Sequence, residues 1–353
     1  MRFQNDGNGG FGPAIRDTIR QYLDSAGEHR FADRWLAAKA ALLAAAFLGA
    51  YGAILFGRLP AWGALACALA AGLSALLLAI NLGHDAAHEC FTRWPAVDHA
   101  LQRVAFTLLG VDAYLWRFRH AHSHHHFPNV NGSDIDIDQN PFFRLSPNQP
   151  RRFYFRWQHL YAPLVYCLVV LHTVFVQDFM YLHQRSIADL RDIRHPWTAT
   201  IAFYLSKIAF VTLVFVLPWT MTSFSLLQIT AGYLLVSALL SLVFVSLLIG
   251  THFSDAAEFP AASASGVIGH SWAEHALVTA QDWAPASRTA GFLTGGANCH
   301  AAHHLAPRLS HRHYRRLAPL IRAVADRYGI RCASTSFAGL VASHFRFLRL
   351  MGA

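Results

Sequence analysis

Residues 62–88 read WGALACALAAGLSALLLAINLGHDAAH, an apolar run that ends in two histidines four positions apart. At a rise of about 1.5 Å per residue, a helix over 62–82 can cross a hydrocarbon layer about 30 Å thick. His84 and His88 then lie one turn apart on one helix face, where both rings can reach a single metal ion. This stretch predicts a membrane-spanning helix with metal ligands at its end.

The composition of the chain is that of a membrane protein. Of 353 residues, 54% are hydrophobic and only 14% are charged, whereas soluble domains carry about 25% charged residues. Arginine carries almost all of the net charge of +9, but not as basic stripes interleaved with aromatics, so we expect no nucleic-acid partner. The five cysteines fit no disulfide or zinc spacing and predict reduced thiols; they are Cys67, Cys90, Cys167, Cys299 and Cys332.

Three further apolar runs are long enough to span a membrane. Short linkers join the runs into two helical hairpins, and the only arginine in those linkers is Arg58. The fold class predicted from this pattern is an all-α integral membrane protein with four transmembrane helices. The predicted spans are about 37–57, 62–82, 198–220 and 226–249.

The distribution of arginine predicts the topology. Arginine is dense before residue 35, between 93 and 194, and after 288. Because positive residues stay in cytoplasmic segments, both termini and the middle of the chain are expected in the cytosol. The N-terminal residues contain no early apolar run, so they are not expected to form a signal peptide. An amphipathic helix is expected after Pro13. The chain is interpreted as one domain, 1–353, with a cytosolic N-terminal segment (1–36) and a cytosolic helical cap formed by 83–197 and 250–353.

The segment 160–182 is also apolar enough to span, but it contains Pro163, His172, Gln177 and Asp178. Polar groups inside a bilayer are costly, and a fifth span would put the C-terminal arginines on the opposite side from the others. The segment is therefore interpreted as an interfacial or half-inserted helix.

Two more histidine groups follow the first. Residues 119–138 read RHAHSHHHFPNVNGSDIDID, and residues 299–304 read CHAAHH. Both repeat spacings of three or four, and a lone His252 lies just past the last span. The three groups and His252 all lie at or beyond the expected cytoplasmic ends of spans.

The number of clustered histidines indicates two metal ions. Zinc takes about four ligands, whereas nine nitrogens suit two metals of five or six coordination, and imidazole suits iron, copper, zinc and nickel. His122 and His126 are expected to be bystanders in the second group. The isolated histidines are expected to form ordinary hydrogen bonds; they are His99, His159, His172, His183, His195 and His270.

The set HDAAH, HAHSHH and HAAHH resembles the three histidine boxes of the membrane fatty acid desaturases. HAHSHHHFPNVNGSDIDID and FLTGGANCHAAHHLAPRLSHRHY are similar to the second- and third-box regions of the bacterial acyl-lipid and linoleoyl-CoA branch, and THFSDAAEFP and SWAEHALVTAQDWA to other segments of it. The resemblance covers roughly residues 15–330 in order and spacing. It implies a cytosolic di-iron centre in a multi-pass protein of a bacterial inner membrane.

Carried over position by position, the resemblance implies nine iron ligands. In that branch Gln commonly opens the third box, whereas His300 stands there in this chain. The stearoyl-CoA type has an Asn that holds a metal-bound water one turn before the isolated histidine, but Leu248 occupies that place here, so the role is not carried over. The implied ligands are His84, His88, His120, His124, His125, His252, His300, His303 and His304.

Several other residues are candidates for supporting roles. Carboxylates often orient ligand imidazoles, although each acid could also be a solvated charge or a helix cap. Arg117 and Arg119, beside Trp116, could hold an anionic head group or be ordinary topology signals. The candidate acids are Asp85, Asp134, Asp136, Asp255 and Glu258.

The implied reaction inserts a C=C bond into an acyl chain carried by CoA, acyl carrier protein or lipid. It uses O2 and two electrons and removes two hydrogens from adjacent carbons. No dinucleotide, ferredoxin or cytochrome b5-like haem motif is found, and GNGGFG at 7–12 precedes no strand–helix unit, so a separate ferredoxin-like or cytochrome b5-like donor is expected. An apolar tunnel lined by the second and fourth spans and the cap is expected to position the acyl chain.

Three other functions were weighed. A hydroxylase, epoxygenase or acetylenase on the same metal site remains open. A metal transporter would place its His and Asp residues in mid-span along a pathway, whereas the histidine groups of this chain lie at the ends of the spans. A zinc hydrolase would need His-Glu-x-x-His, whereas the first box has Asp85.

Overall fold

The computed structural model describes residues 1–6, 10–138 and 140–353; the glycines at 7 and 9 of the GNGGFG stretch therefore lie outside the described residues. Within these ranges, four helices are long and apolar enough to cross a membrane. They confirm the four predicted spans and extend the second one into the first histidine box. The spans are Arg34–Phe56, Ala61–Ala87, Trp197–Met221 and Leu226–Thr251.

Local sequence signals set the ends of the spans. The Asp33 side chain accepts hydrogen bonds from the first backbone amides of the first span, and Ser225 forms a capping box with Gln228 at the start of the fourth. Trp35 and Trp62 are highly exposed near the two ends of the first hairpin. Such tryptophans are typical of the two membrane–water interfaces.

The remaining helices form a cap joined to the span ends. The helix expected after Pro13 begins two residues earlier, because proline is tolerated in a first turn whose amides need no helical partner. Two of the π-helical turns, Ala79–Gly83 and His120–His124, adjoin or contain histidine-box residues. The cap helices are Phe11–Ala26, His84–Ala87, Pro95–Thr107, Ala113–Arg119, Ile135–Asp138, Trp272–Val278, Arg288–Thr294, His300–Leu305, Tyr314–Arg327 and Phe337–Gly352, with 3₁₀ turns at Ile249–Thr251 and His311–His313.

The all-α expectation needs one small amendment. Two short parallel strand pairs join distant parts of the chain within the described residues: Arg2–Phe3 with Val267–Ile268, and Gln281–Trp283 with Ala333–Thr335. Strands of two or three residues carry too little alternation to be predicted from sequence. The second pair matters for function because it leads into the third histidine box.

The core of the cap fixes the third box to the N-terminal helix. Phe11 and Ile15 of that helix pack with Leu317 and Ile321 of the Tyr314–Arg327 helix, all nearly fully buried. Ala301 and Ala302, on the box helix itself, belong to the same cluster. Each Å² of apolar surface that is buried in this way stabilises the folded protein by roughly 25 cal/mol.

The segment interpreted as half-inserted is a bent helix pair. Phe153–Tyr166 and Val169–His183 meet at 76° across a short break. If the pair crossed the membrane it would be a fifth span, so its interfacial placement stays a prediction. Its polar residue Asp178 is not isolated, because Lys207 of the third span donates a hydrogen bond to the Asp178 carboxylate at 2.7 Å. Lys207 also donates to the carbonyl oxygens of Gly110 and Val174.

A glycine at the entrance to the third box should be irreplaceable. Gly295 ends the Arg288–Thr294 helix at φ +58°, and a Cβ there would collide with the Ile80 carbonyl oxygen of the second span. Gly295→Ala should cost at least about 1–2 kcal/mol from the left-handed backbone alone, before the collision is counted. Thermal unfolding in detergent checks this, with Gly49→Ala as the control, since a Cβ at Gly49 meets nothing within 4 Å. Equal Tm values for the two variants would contradict it.

Candidate metal centre

The first box extends the second membrane span through a π-helical turn. Ala79–Gly83 is π-helical, and His84 begins the regular helical turn that follows. The rings of His84 and His88 lie 4.9 Å apart, centroid to centroid. The predicted pairing of these two rings at one position is confirmed.

The predicted ligands gather into two adjoining groups, each with ligand atoms within 4.8 Å of one another. His125 adjoins both, because its ligand atom also lies within that distance of His303 and His304. We call the first group the half-buried set: His84, His88, His120 and His303. We call the second group the buried set: His124, His252, His300 and His304.

The second box divides its histidines between the two sets. Sequence spacing placed His120 and His124 on one helix face, but they belong to different sets. The cause is the π-helical turn at His120–His124, which aligns residues five apart rather than four. Consistent with this, the Nε2 atoms of His120 and His125 lie 3.0 Å apart.

The third box shows the same division on a regular helix. His300 and His304, four residues apart, contribute to the buried set, while His303 turns toward the half-buried set. His252 joins them from the end of the fourth span. The Nε2 atom of His252 lies 2.8 Å from that of His300 and 2.9 Å from that of His304.

The protonation pattern of these rings fits a bound metal ion. The Nδ1–H groups of His252 and His300 donate to the backbone carbonyls of Thr279 and Ala297, at 2.9 and 3.1 Å. Their Nε2 atoms therefore carry lone pairs, yet face each other at 2.8 Å. Two lone pairs at that distance repel unless a cation lies between them, and imidazole nitrogen is a strong ligand for iron and similar metals.

Burial keeps the other rings in the ligand-competent form. It lowers the pKa of His120, His125, His303 and His304 well below the ordinary histidine value, with neighbouring histidines adding to the effect. These rings are therefore neutral at pH 7, as metal binding requires. The Nε2 of His303, the nitrogen opposite its contact with Tyr314, is buried without a hydrogen-bond partner in the described residues. Such an orphaned nitrogen is expected where a metal belongs.

Two of the five candidate acids orient a predicted ligand. Both carboxylate oxygens of Asp134 lie 3.3 Å from the Nδ1 of His124, and Asp136 lies 3.5 Å from it. Burial alone would lower the pKa of His124, but these carboxylates reverse the effect and raise it. The hydrogen bond to Asp134 keeps a proton on Nδ1, so Nε2 is the atom that a metal would bind in place of a proton.

The other three candidate acids have partners other than the predicted ligands. Asp85 accepts hydrogen bonds from Ser310 and His311 rather than from a first-box histidine. Asp255 is paired with Ser343 and Arg346, and Glu258 with His270. Each acid is close to a ligand in sequence, but its side chain pairs with a hydroxyl, imidazole or guanidinium group elsewhere in the chain.

The two second-box arginines are engaged by the protein itself. Arg119 pairs with Asp136 at 3.2 Å, and Arg117 donates to the side chain of Gln102 at 2.9 Å. These contacts give both cations structural partners and leave the head-group hypothesis without support. The bystanders behave as expected, since His122 and His126 lie outside both sets; His126 is exposed and contacts the Ala121 carbonyl.

Three functional positions escaped sequence reasoning. The Tyr314 hydroxyl donates to the Ala306 carbonyl and lies 3.4 Å from the Nδ1 of His303, whose orientation it supports. Asp282 accepts from the Ala301 amide at the start of the third-box helix, and burial raises the pKa of Asp282 to about 6. Asn129 joins the second box to His252, as described below. The only sequence signal for these residues is their position beside histidine-rich stretches.

An apolar cavity of about 220 Å³ lies between the spans. The second and fourth spans line it, for example through Gly72 and Leu240, and the first and third spans contribute Tyr51 and Phe210. Its use as the predicted acyl-chain tunnel stays a prediction. The lining is mostly hydrocarbon, which suits an alkyl chain rather than a polar head group.

Comparison with known proteins agrees with the geometry. The sn-1 linoleoyl-lipid 6-desaturase of Arthrospira platensis is 27% identical over 97% of this chain and 92% of its own length. The Synechocystis protein of the same name is 26% identical over 82% of this chain and 79% of its own length. The acyl-lipid (8-3)-desaturase of Physcomitrium patens is 26% identical over 81% of this chain, which spans only 60% of that relative. A model of the fatty acid desaturase family matches residues 59–336, and the chain therefore belongs to that family.

Proposed function

We propose that this protein desaturates acyl chains with two iron ions held by the nine clustered histidines. The chain is a multi-pass membrane desaturase, an oxidoreductase that acts on paired donors with O2. The observation that carries the di-iron proposal is the pair of adjoining histidine sets, in one of which the neutral Nε2 atoms of His252 and His300 face each other at 2.8 Å. The half-buried set and the buried set would each hold one ion, with His125 beside both.

The iron ions, when bound, would supply the O2 activation needed to attack an unactivated methylene. Overall, two hydrogens leave adjacent carbons, and O2 with two electrons and two protons becomes two waters. The protein holds the ligand rings in place and excludes water from the site. Trp116 stacks on His120 at 4.2 Å between ring centroids and holds that ring in place. The members of the buried set are at most 8% exposed, so bulk water is kept from them.

The proposed substrate is an acyl chain carried by a membrane lipid. The similar proteins are named for acyl-lipid or linoleoyl-lipid substrates, and a lipid can enter sideways from the bilayer without leaving it. The methyl end of the chain would occupy the apolar cavity between the spans. CoA or acyl carrier protein remain the alternative carriers.

The electrons are proposed to come from a separate ferredoxin-like or cytochrome b5-like protein in the cytosol. The arginine distribution supports a cytosolic cap with both termini on that side. A bacterial inner membrane is proposed because similar proteins are cyanobacterial. The exposed arginines of the cap, such as Arg308 and Arg316, would favour an acidic donor. The chain is proposed to act as one domain throughout.

Product analysis tests the function. Acyl chains from cells that express the wild type, with a donor system, should contain an unsaturated acid that is missing with His304→Ala. Gas chromatography–mass spectrometry identifies the acid and the position of its double bond. A hydroxy, epoxy or acetylenic product would contradict desaturation while keeping the metal site. Identical profiles for the two proteins, with the donor shown to be active on another desaturase, would contradict the function itself.

A further inference from the structure

We propose that Asn129 is a positioning residue that ties the supports of His124 and His252 together and makes the buried set the tighter of the two metal positions. The proposal rests on the metal centre of the proposed function. It concerns a residue that binds no metal, and it predicts that the two positions fill unequally.

The Asn129 side chain is fully buried at the junction of three segments. Its Nδ2 atom lies 2.9 Å from the Glu258 carbonyl, 3.2 Å from that of Thr279 and 3.3 Å from that of His252. Three carbonyl oxygens around one end of the amide require that end to be the nitrogen, since only the nitrogen donates. The amide therefore clamps the second-box loop onto the segments that follow the fourth span.

Asn129 also reaches the support of His124. The Asn129 backbone amide donates to Asp134 at 2.9 Å, and Asp134 holds the Nδ1 of His124. On the other side, Thr279 accepts both from the Asn129 amide and from the Nδ1 of His252 at 2.9 Å. One residue thus contacts the partner that orients each of two ligands from different parts of the chain.

The segment that begins at Thr279 supports the rest of the buried set. Three residues later, Asp282 accepts from the Ala301 amide at 2.9 Å and anchors the helix that carries His300 and His304. Hydrogen bonds thus orient the rings of His124, His252 and His300, and Asp282 anchors the helix that also carries His304. A frame that fixes ligands before the metal arrives lowers the entropy lost on binding.

The half-buried set has no comparable frame. Among the described residues, no ring nitrogen of His84 or His88 hydrogen-bonds to another group of the protein, and only His303 has an outer partner, in Tyr314. His84, His88 and His120 are also partly exposed, whereas every ring of the buried set is buried. Partners outside the coordination sphere change metal affinity by roughly 10–100-fold, so the buried set should bind first.

A glycine substitution isolates the Asn129 side chain. Asn129 has φ +60°, a left-handed conformation that asparagine tolerates and glycine adopts freely. Asn129→Gly keeps the backbone and its hydrogen bond to Asp134 but removes the clamp on the three carbonyls. Asn148→Gly is the matched control, because Asn148 is exposed and donates to a single distant carbonyl, that of Phe259.

The test is a Co(II) titration of the metal-free full-length protein in detergent, followed by the visible absorption of the histidine-bound ion. The wild type should show a tight and a weak binding event, and His88→Ala should lose the weak one. In Asn129→Gly the tight event should weaken roughly 10–100-fold, while the weak event and the Asn148→Gly control stay as in the wild type.

Two results would overturn the positioning role: an unchanged tight event in Asn129→Gly, or an equal weakening of both events. If the glycine variant does not fold, Asn129→Asp makes the same test, because it keeps the side-chain size and the backbone but turns a carboxylate toward the three carbonyls. A wild type that binds fewer than two ions would instead overturn the proposed function, which separates the two failures.

Discussion

His124→Ala should abolish double-bond formation and remove one metal ion per chain. The substitution deletes a ligand of the buried set and leaves the buried Asp134 carboxylate without its imidazole partner. Loss of an outer partner alone weakens metal binding by about 10–100-fold, so loss of the ligand itself should lower activity by at least about 100-fold. Conversion of acyl chains by purified enzyme, with iron measured on the same sample, checks both effects.

His126→Ala is the control for that result. His126 lies two residues away, is exposed, and contacts the Ala121 carbonyl and the ring of Phe127. Its removal should leave conversion and iron content unchanged. Comparable losses of conversion and iron content in the two variants would mean that any change in the second box disturbs the whole loop. This result would contradict separate roles for the ligand His124 and the bystander His126.

Lys207→Met should strongly destabilise the protein. Lys207 neutralises Asp178 at 2.7 Å and donates to two further carbonyls, those of Gly110 and Val174. Removing one partner of a buried ion pair leaves an uncompensated charge and costs about 3–5 kcal/mol. A lower Tm of the detergent-solubilised protein, followed by circular dichroism, is the expected result.

A second substitution shows whether the ion pair is the cause. Asp178→Asn in the Lys207→Met background removes the stranded charge and keeps an acceptor for the Asp112 amide. The double variant should therefore lose less free energy of unfolding than the two single substitutions lose when their effects are added. Strict additivity, or a Lys207→Met protein with the Tm of the wild type, would show that the pair does not hold the bent segment in place.

The spans and the histidine groups were predictable because their signals are local. A run of apolar residues long enough to cross a bilayer identifies a span wherever it occurs, and histidines at helical spacing identify a shared face. The division of His120 and His124 between the sets was not predictable, since a π-helical turn has no sequence signature comparable to a proline or glycine.

The supports of the site were hidden for a different reason. Asn129 meets Thr279, Asp85 meets His311, and Lys207 meets Asp178 only after distant segments have packed. A polar residue in an apolar stretch, such as Asp178, is costly to bury alone, and this cost suggests that a partner exists. The identity of that partner depends on the tertiary structure, and Asp85, Asp255 and Glu258 have partners other than the predicted ligands near them in sequence.

The iron content of the wild type tests the central claim most directly. Metal-free protein is reconstituted with ferrous iron under anaerobic conditions, freed of unbound metal, and analysed for iron per chain, with Mössbauer spectra of the same sample. The nine clustered histidines predict two iron ions per chain in nitrogen-rich environments. One ion per chain, or none, would contradict the di-iron account of this protein.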